Sequence, residues 1–187
     1  FGSFTKRIPW LAILLVLDIF IAIVISRFDT VIEQVTVLAF FQAAVLGLAG
    51  HCGTQSLAIS VRKIASGEID EKGGITKHVG KERLSGIGTG LILGILSFVL
   101  VIGMLYVLSL FGSNMSQGES IIKIGTVLGL AVCGSVILSN FFGTILPIMF
   151  YKMHIDPAVA SGPFITTLND IVAVITYFGI AMLVFNL

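Results

Sequence analysis

Five long apolar segments, separated by short polar ones, run along the chain. They cover about residues 9–26, 31–61, 84–111, 121–151 and 158–185. Each can supply most or all of the roughly 20 apolar residues that a helix needs to cross the hydrocarbon core of a membrane. The run Ile92–Val107 does not alternate between apolar and polar positions, as the strands of a membrane barrel do. We therefore predict an all-α integral membrane protein, a single transmembrane domain of five transmembrane helices.

Composition excludes the main alternative classes. The chain is 56% hydrophobic and 11% charged, whereas a soluble domain is about 25% charged. The net charge of +1 gives no reason to expect a nucleic-acid partner. Cys52 and Cys133 both lie in apolar segments and form neither a disulfide framework nor a zinc ligand set. The chain begins at Phe1 rather than Met, which suggests a piece of a longer protein.

The basic residues predict the orientation in the membrane. Arg27 and Lys123 fall on one side of the predicted topology. The other nine of the 11 Lys and Arg residues fall on the opposite side: Lys6, Arg7, Arg62, Lys63, Lys72, Lys77, Lys81, Arg83 and Lys152. Cytoplasmic loops carry the excess of basic residues. We therefore expect a multi-pass protein of the plasma membrane with a cytoplasmic N-terminus, a cytoplasmic loop at 62–83 and an external C-terminus.

The polar segment 62–83 has two interpretations. Its mixed charges and the Gly73–Gly74 pair are typical of a solvated connector with short helical pieces. Alternatively, its acidic residues form a cytoplasmic surface that senses cations or docks a partner. These acidic residues are Glu68, Asp70, Glu71 and Glu82.

Ionisable residues at membrane depth are the first candidates for function, because each costs at least about 2.5–3.5 kcal/mol to insert. They are Asp18, His51 and Asp170. At helical spacing, Asp170 shares a small and polar stripe with Gly162 or Pro163, Thr166, Ala173 and Tyr177. Such a face points to protein or water, so Asp170 is either a structural carboxylate or a cation ligand on a permeation path. Asp18 has only apolar neighbours on its helix and is either a helix contact or a second ion or proton site.

The second apolar segment contains three glycines among polar residues. Gly47, Gly50 and Gly53 weaken a helix and let another backbone or an ion come close. Because polar or irregular chain at membrane depth faces protein or a wet cavity, we predict that this stretch lines the same cavity as Asp170. The residues expected to line the pore are Gly50, Gly53, Thr54, Gln55 and Ala173. His51 is either a metal ligand or a hydrogen-bonded structural residue.

Two further features predict how the helices pack. Gly86, Gly90 and Gly94 recur every four residues and indicate close helix packing. Pro147 and Pro163 are expected to kink or interrupt their helices. An opened turn near Pro163 would free carbonyl groups for a hydrated cation.

Several motifs together resemble the MgtE family of magnesium channels and transporters. Segments 156–158 (DPA) and 161–170 (SGPFITTLND) are similar to the last helix of that family. Segment 50–56 (GHCGTQS) resembles its glycine motif, and segment 7–11 (RIPWL) resembles the start of its first helix. The resemblance extends over essentially the whole chain and agrees with the five-helix count.

The resemblance implies a homodimer surrounded by lipid, with a pore on the two-fold axis and Asp170 of both subunits holding the ion. It also implies Mg²⁺ as the transported ion. Cytoplasmic Mg²⁺-sensing domains, which usually precede the first helix in the family, are absent from this sequence, so it is expected to be either the isolated membrane domain or a short relative. A full-length form is expected to carry them. His51 stands where the family has asparagine. Because imidazole suits softer metals and Mg²⁺ prefers oxygen ligands, Mn²⁺ or Zn²⁺ is an alternative ion.

The prediction is a channel that passes largely hydrated divalent cations. Its metal-site candidates are Asp170, His51, Asn169, Thr166 and Thr167. Asp29, Glu33 and Asp156 are candidates to attract cations at the mouths. The alternatives are a proton- or sodium-coupled divalent-cation transporter and a non-transporting membrane scaffold. An enzyme is not expected, because the sequence lacks a His-Glu-x-x-His pair.

Overall fold

The described residues form a bundle of six α-helices, of which five are long. In the computed structural model the backbone is described for residues 2–112, 116 and 118–187, and the side chains for the same residues except 2–7, 10 and 157–163. The helices are α1 (Gly2–Ile25), α2 (Asp29–Gln34), α3 (Val37–Ala65), α4 (Gly74–Leu110), α5 (Ile121–Lys152) and α6 (Pro157–Phe185). A 3₁₀ turn over Ser26–Phe28 joins α1 to α2.

Five stretches are long and apolar enough to cross a membrane, as the sequence predicted. They are Leu11–Gln34, Val37–Ala65, Gly74–Leu110, Ile121–Lys152 and Phe164–Phe185. No β-strand occurs among the described residues. The prediction of an all-α membrane protein with five spans is confirmed.

The helix α5 is the centre of the bundle. It packs against α3, α4 and α6, and its buried residues, such as Ile124, Leu128 and Val136, face all three neighbours. The glycine stripe of α4 lies against α5 as predicted. A Cβ at Gly90 would lie 2.9 Å from the carbonyl oxygen of Cys133, and one at Gly94 would lie 2.7 Å from that of Gly129. Because neither glycine has a side chain, the two backbones approach closely.

The segment predicted to begin at residue 31 is divided in two. Val35 has φ −129° and ψ 67°, which is outside the helical region. Its carbonyl accepts a hydrogen bond from the N–H of Leu38 at 2.9 Å, while its own N–H donates to Val31 at 3.0 Å. The chain therefore turns at Val35, and the membrane-spanning helix α3 begins at Val37.

The polar segment 62–83 is largely helical rather than a long loop. The helix α3 continues to Ala65 and α4 begins at Gly74. Gly73, with φ +79°, makes the left-handed turn before α4. An ion pair between Lys63 and Glu68 at 2.8 Å closes the short connection from the α3 side.

Neither predicted proline break interrupts a helix. The helix α5 runs through Pro147, and α6 is continuous over Pro157–Phe185. Pro147 cannot donate a hydrogen bond to the carbonyl of Gly143, but it is buried and α5 continues on both sides of it. The expectation of an opened turn near Pro163 is therefore wrong for the helical backbone, and the side chain of Pro163 lies outside the described residues.

A candidate cation pathway beside helices α3 and α6

One open face of the protomer differs in chemistry from the rest of its surface. Along α3 after the exposed Phe40, the residues exposed at successive turns are Ala43, Gly47, His51 and Gln55. These are small or polar. The exposed faces of α1 and α4 carry bulky apolar side chains instead, and their most exposed members include Leu11, Leu15, Val16, Leu84, Ile92 and Leu100.

This contrast indicates that the protomer has a surface for lipid and a surface for protein or water. Bulky apolar faces suit contact with lipid tails, whereas a stripe of small and polar residues at membrane depth faces protein or water. We call the α3 stripe formed by Ala43, Gly47, His51 and Gln55 the open face. His51 and Gln55, both predicted at the site, lie on it.

Asp170 lies half-buried on α6. It is thirteen residues into the helix, about 20 Å along its axis at 1.5 Å per residue. Gly53 of α3 contacts Asn169 of α6, and Tyr177 Oη donates a hydrogen bond to the carbonyl of Leu38 at 2.7 Å. These two contacts set an antiparallel register that places Asp170 about level with His51.

Several predicted site residues turn toward the interior of the protomer. Asn169 and Ala173 are fully buried, and Thr167 is 7% exposed. Gly53 is also buried, between α5 and α6. The predicted stripe of α6 therefore runs from the half-buried Thr166 and Asp170 into the core at Ala173 and Tyr177.

Asn169 is buried in an unusual way for an amide. Within the described part of the chain, neither its Oδ1 nor its Nδ2 has a hydrogen-bond partner, and the same holds for the hydroxyls of Ser135 and Ser139. The amide lies against the backbone of Gly53, close to the carbonyl oxygen of Ser139. In this protomer Asn169 contacts the α3 and α5 backbones, next in sequence to the carboxylate of Asp170.

The glycine motif of α3 divides between the two environments. Thr54 Oγ1 donates to the carbonyl of Gly50 at 2.9 Å and lies 3.0 Å from that of His51. Its hydroxyl is thus engaged with its own helix. A Cβ at Gly50 would meet nothing within 4 Å, so the chain is uncrowded there.

Asp18 is the second carboxylate beside this site. It is exposed on α1, which packs against α6, and its charge acts on Asp170. The rings of Phe28 and Phe178 stack with centroids 5.2 Å apart. Asp18 precedes Phe28 by about as many residues as Asp170 precedes Phe178. Because the two rings stack on each other, the two carboxylates lie at similar depth.

The predicted mouth residues are all exposed. Asp29 and Glu33 lie on the short helix α2, and Asp156 lies between α5 and α6. Asp29 and Glu33 thus remain at the end of the bundle opposite Asp156.

Two polar contacts at the end of the bundle that carries segment 62–83 were not predicted. The buried His78 lies 2.8 Å from Ser60 Oγ across α3 and α4, and Tyr151 Oη donates to Asp70 at 2.8 Å. The contact between His78 and Ser60 could have been found from the sequence, because a short connection brings their two segments together. The second joins residues far apart in sequence, and no local pattern indicates it.

Comparison with known proteins decides the family. A family model named MgtE and described as a divalent cation transporter matches residues 42–180. The chain belongs to the MgtE family. The resemblance drawn from the sequence motifs is therefore confirmed. Together with the five apolar spans, membership of MgtE makes the chain a multi-pass membrane protein of a transporter family rather than an enzyme.

Similar proteins carry the name magnesium transporter MgtE. Those of Enterococcus faecalis and Bacillus subtilis are each 35% identical to this chain, over 95% and 94% of it. That of Thermus thermophilus is 28% identical over 95%. Each match covers 36% of the relative, so this chain spans about a third of the length of these MgtE proteins.

Proposed function

We propose that two copies of this chain form a channel for divalent cations, with Mg²⁺ as the main ion and the plasma membrane as its location. The open face of α3 carries this proposal. A small and polar face at membrane depth requires a partner or water, and a second copy supplies both a cover and a pore. The names of the MgtE relatives support Mg²⁺ as the ion.

Charge gives the proposed pore its preference for divalent ions. Asp170 from each copy would place a formal charge of −2 beside the two-fold axis. Two facing carboxylates without a cation repel each other, and a divalent ion removes that cost more completely than a monovalent one. The half-buried position of Asp170 on α6 leaves its carboxylate able to reach such an axis.

Mg²⁺ gives up its water reluctantly, so we propose that it passes largely hydrated. Its waters point donors outward, and the acceptors proposed for them are the Asp170 carboxylate, the side-chain oxygen of Gln55 and the carbonyls near Gly50. Asn169 and Thr167, both buried in the protomer, are proposed to support Asp170 from behind. His51 on the open face favours a measurable flux of Mn²⁺ or Zn²⁺ beside Mg²⁺.

The test is Mg²⁺ flux into liposomes that contain the purified chain. Asp170→Asn removes the charge and nearly preserves the shape, so we expect flux to be lost while the dimer, measured by light scattering in detergent, is retained. Glu71→Gln, at an exposed acid of the α3–α4 connection, is the matched control and should conduct normally. Wild-type flux in Asp170→Asn would refute the site, and a monomeric wild type would refute the shared pore.

A proton-coupled transporter is the second candidate, and the proximity of Asp18 to Asp170 favours it. Two carboxylates at similar depth in one protomer can share a proton when no cation is bound. Coupled transport predicts that an imposed pH gradient drives Mg²⁺ uptake against its own gradient, and that Asp18→Asn abolishes this drive. A channel predicts no uphill uptake in either protein.

A further inference from the structure

A small polar cavity lies between α3, α4 and α5, apart from Asp170. Its volume is about 60 Å³, room for an ion or a few waters. Six polar side chains of these three helices line it: Gln55, Ser56, Glu82, Ser85, Thr89 and Asn140. By the predicted orientation, the cavity opens toward the cytoplasmic half of the membrane, because the continuous apolar part of α4 begins after Thr89.

Glu82, Ser85 and Thr89 form one polar stripe on α4. They are three and four residues apart, which places them on the same face of a helix. Glu82 is half-buried, and in the part of the chain that the structure describes it has neither an ion pair nor a hydrogen bond, although its charge interacts with His78. His78, one turn earlier, is engaged with Ser60. The carboxylate oxygens of Glu82 are therefore available to a cation bound in the cavity.

The opposite wall of the cavity is fixed in place. Asn140 Nδ2 donates to Ser56 Oγ at 2.5 Å, and the two residues are only 8% and 2% exposed. The absence of a side chain at Gly86 admits the amide, since a Cβ there would lie 2.6 Å from Asn140 Oδ1. The hydrogen bond uses the amide nitrogen, so the oxygen of Asn140 is left as an acceptor. The wall is therefore rigid and rich in oxygen atoms.

The donor set decides the class of ligand. It consists of one carboxylate and several neutral hydroxyl and amide oxygens, which suits a hard cation of low charge. No group of three or more His, Cys, Asp or Glu side chains occurs among the described residues, which argues against a transition-metal site. We propose that this cavity, with Glu82 as its charged ligand, binds one monovalent cation, namely sodium. The site goes beyond the proposed pore, and residue 170 takes no part in it. Gln55, at the edge of the cavity, is the residue that it shares with the open face.

The test is binding of radioactive sodium to the full chain in detergent, by scintillation proximity at constant ionic strength. We expect saturable binding to the wild type, displaced by unlabelled Na⁺ more readily than by K⁺. Glu82→Gln removes the charge, and losing a charged ligand should weaken binding by at least about tenfold. Thr89→Val, which keeps the shape but removes a hydroxyl, should also weaken it. Glu71→Gln, an acid outside the cavity, is the control and should bind as the wild type does.

Two results would overturn the site. One is a wild type with no saturable sodium binding, which means that the cavity holds water only. The other is unchanged binding in both Glu82→Gln and Thr89→Val, which would place the sodium elsewhere. Asp170→Asn separates this inference from the proposed channel, because it should stop Mg²⁺ flux and leave sodium binding intact.

Discussion

Replacing Gly53 by alanine tests how closely α3, α5 and α6 pack beside the proposed pore. A Cβ at Gly53 would overlap the amide of Asn169 and lie 3.2 Å from the carbonyl oxygen of Ser139. Asn169 is 0% exposed, so its amide has little space in which to move. Gly47 lies on the same helix, and a Cβ there would meet nothing within 4 Å. Gly47→Ala is therefore the matched control.

The expected magnitude follows from comparing the two variants. In both variants the helix backbone is stabilised by the same amount, about 0.5–1 kcal/mol for alanine over glycine. Only Gly53→Ala is also destabilised by overpacking, typically by about 1–3 kcal/mol. The difference in free energy of unfolding between the variants should thus be about 1–3 kcal/mol, or about 5- to 150-fold in the unfolding equilibrium.

The assay is reversible unfolding in mixed detergent, followed by circular dichroism, with Mg²⁺ flux measured on the same proteins. Gly53→Ala should also lower flux, because Asn169 precedes Asp170 and a shift of one moves the other. If Gly53→Ala and Gly47→Ala are equally stable, α3 and α6 do not meet at this point. The register that places Asp170 level with His51 is then wrong.

Three further predictions concern the packing and charge of the bundle. Tyr177→Phe removes the hydroxyl that donates to a backbone carbonyl of α3 and should cost about 0.5–1.5 kcal/mol, measured as a lower Tm. Gly94→Ala places a Cβ 2.7 Å from a backbone carbonyl of α5 and should destabilise the protein, whereas Gly88→Ala, which meets nothing, should not; equal Tm values would contradict the α4–α5 contact. The hydrogen bond from Lys63 lowers the pKa of Glu68, so the stabilisation from this pair is present above the unfolded-state pKa and is lost as pH falls through the folded one. Lys63→Met should raise the Glu68 pKa in a carboxyl NMR titration, and an unchanged pKa would show that the pair does not form in solution.

The spans and the α4–α5 contact could be predicted because they depend on local pattern. About 20 apolar residues make a span in any bundle, and glycines four residues apart make a smooth helix face. Gly90 and Gly94 therefore indicated close packing without knowledge of the partner helix.

The inward and outward faces of α6 could not be predicted in the same way. In a membrane, the lipid-facing and core-facing sides of a helix are both apolar, so hydrophobicity does not distinguish them. Thr166, Asn169 and Ala173 all looked suitable for a pore. Only the central position of α5, which packs on α6 and α3, explains why Asn169 and Ala173 turn inward.

The ends of the helices also depended on more than composition. The charges of segment 62–83 indicated chain outside the hydrocarbon core, but a helix can continue beyond that core, and α4 begins at Gly74 within this charged segment. Conversely, the break at Val35 falls between the polar residues Gln34 and Thr36, at the start of the predicted segment 31–61, and carries no glycine or proline signal. The turn there follows from the packing of α2 and α3 rather than from a local motif.

The central claim is that two copies meet across the open face of α3. In a background where both native cysteines are replaced by alanine, His51→Cys tests this face and Ile92→Cys, 68% exposed on the apolar face of α4, tests the lipid face. After reaction with a short bifunctional thiol reagent in dilute liposomes, the account predicts cross-linked dimers for His51→Cys and monomers for Ile92→Cys. Dimers from Ile92→Cys, together with monomers from His51→Cys, would contradict it.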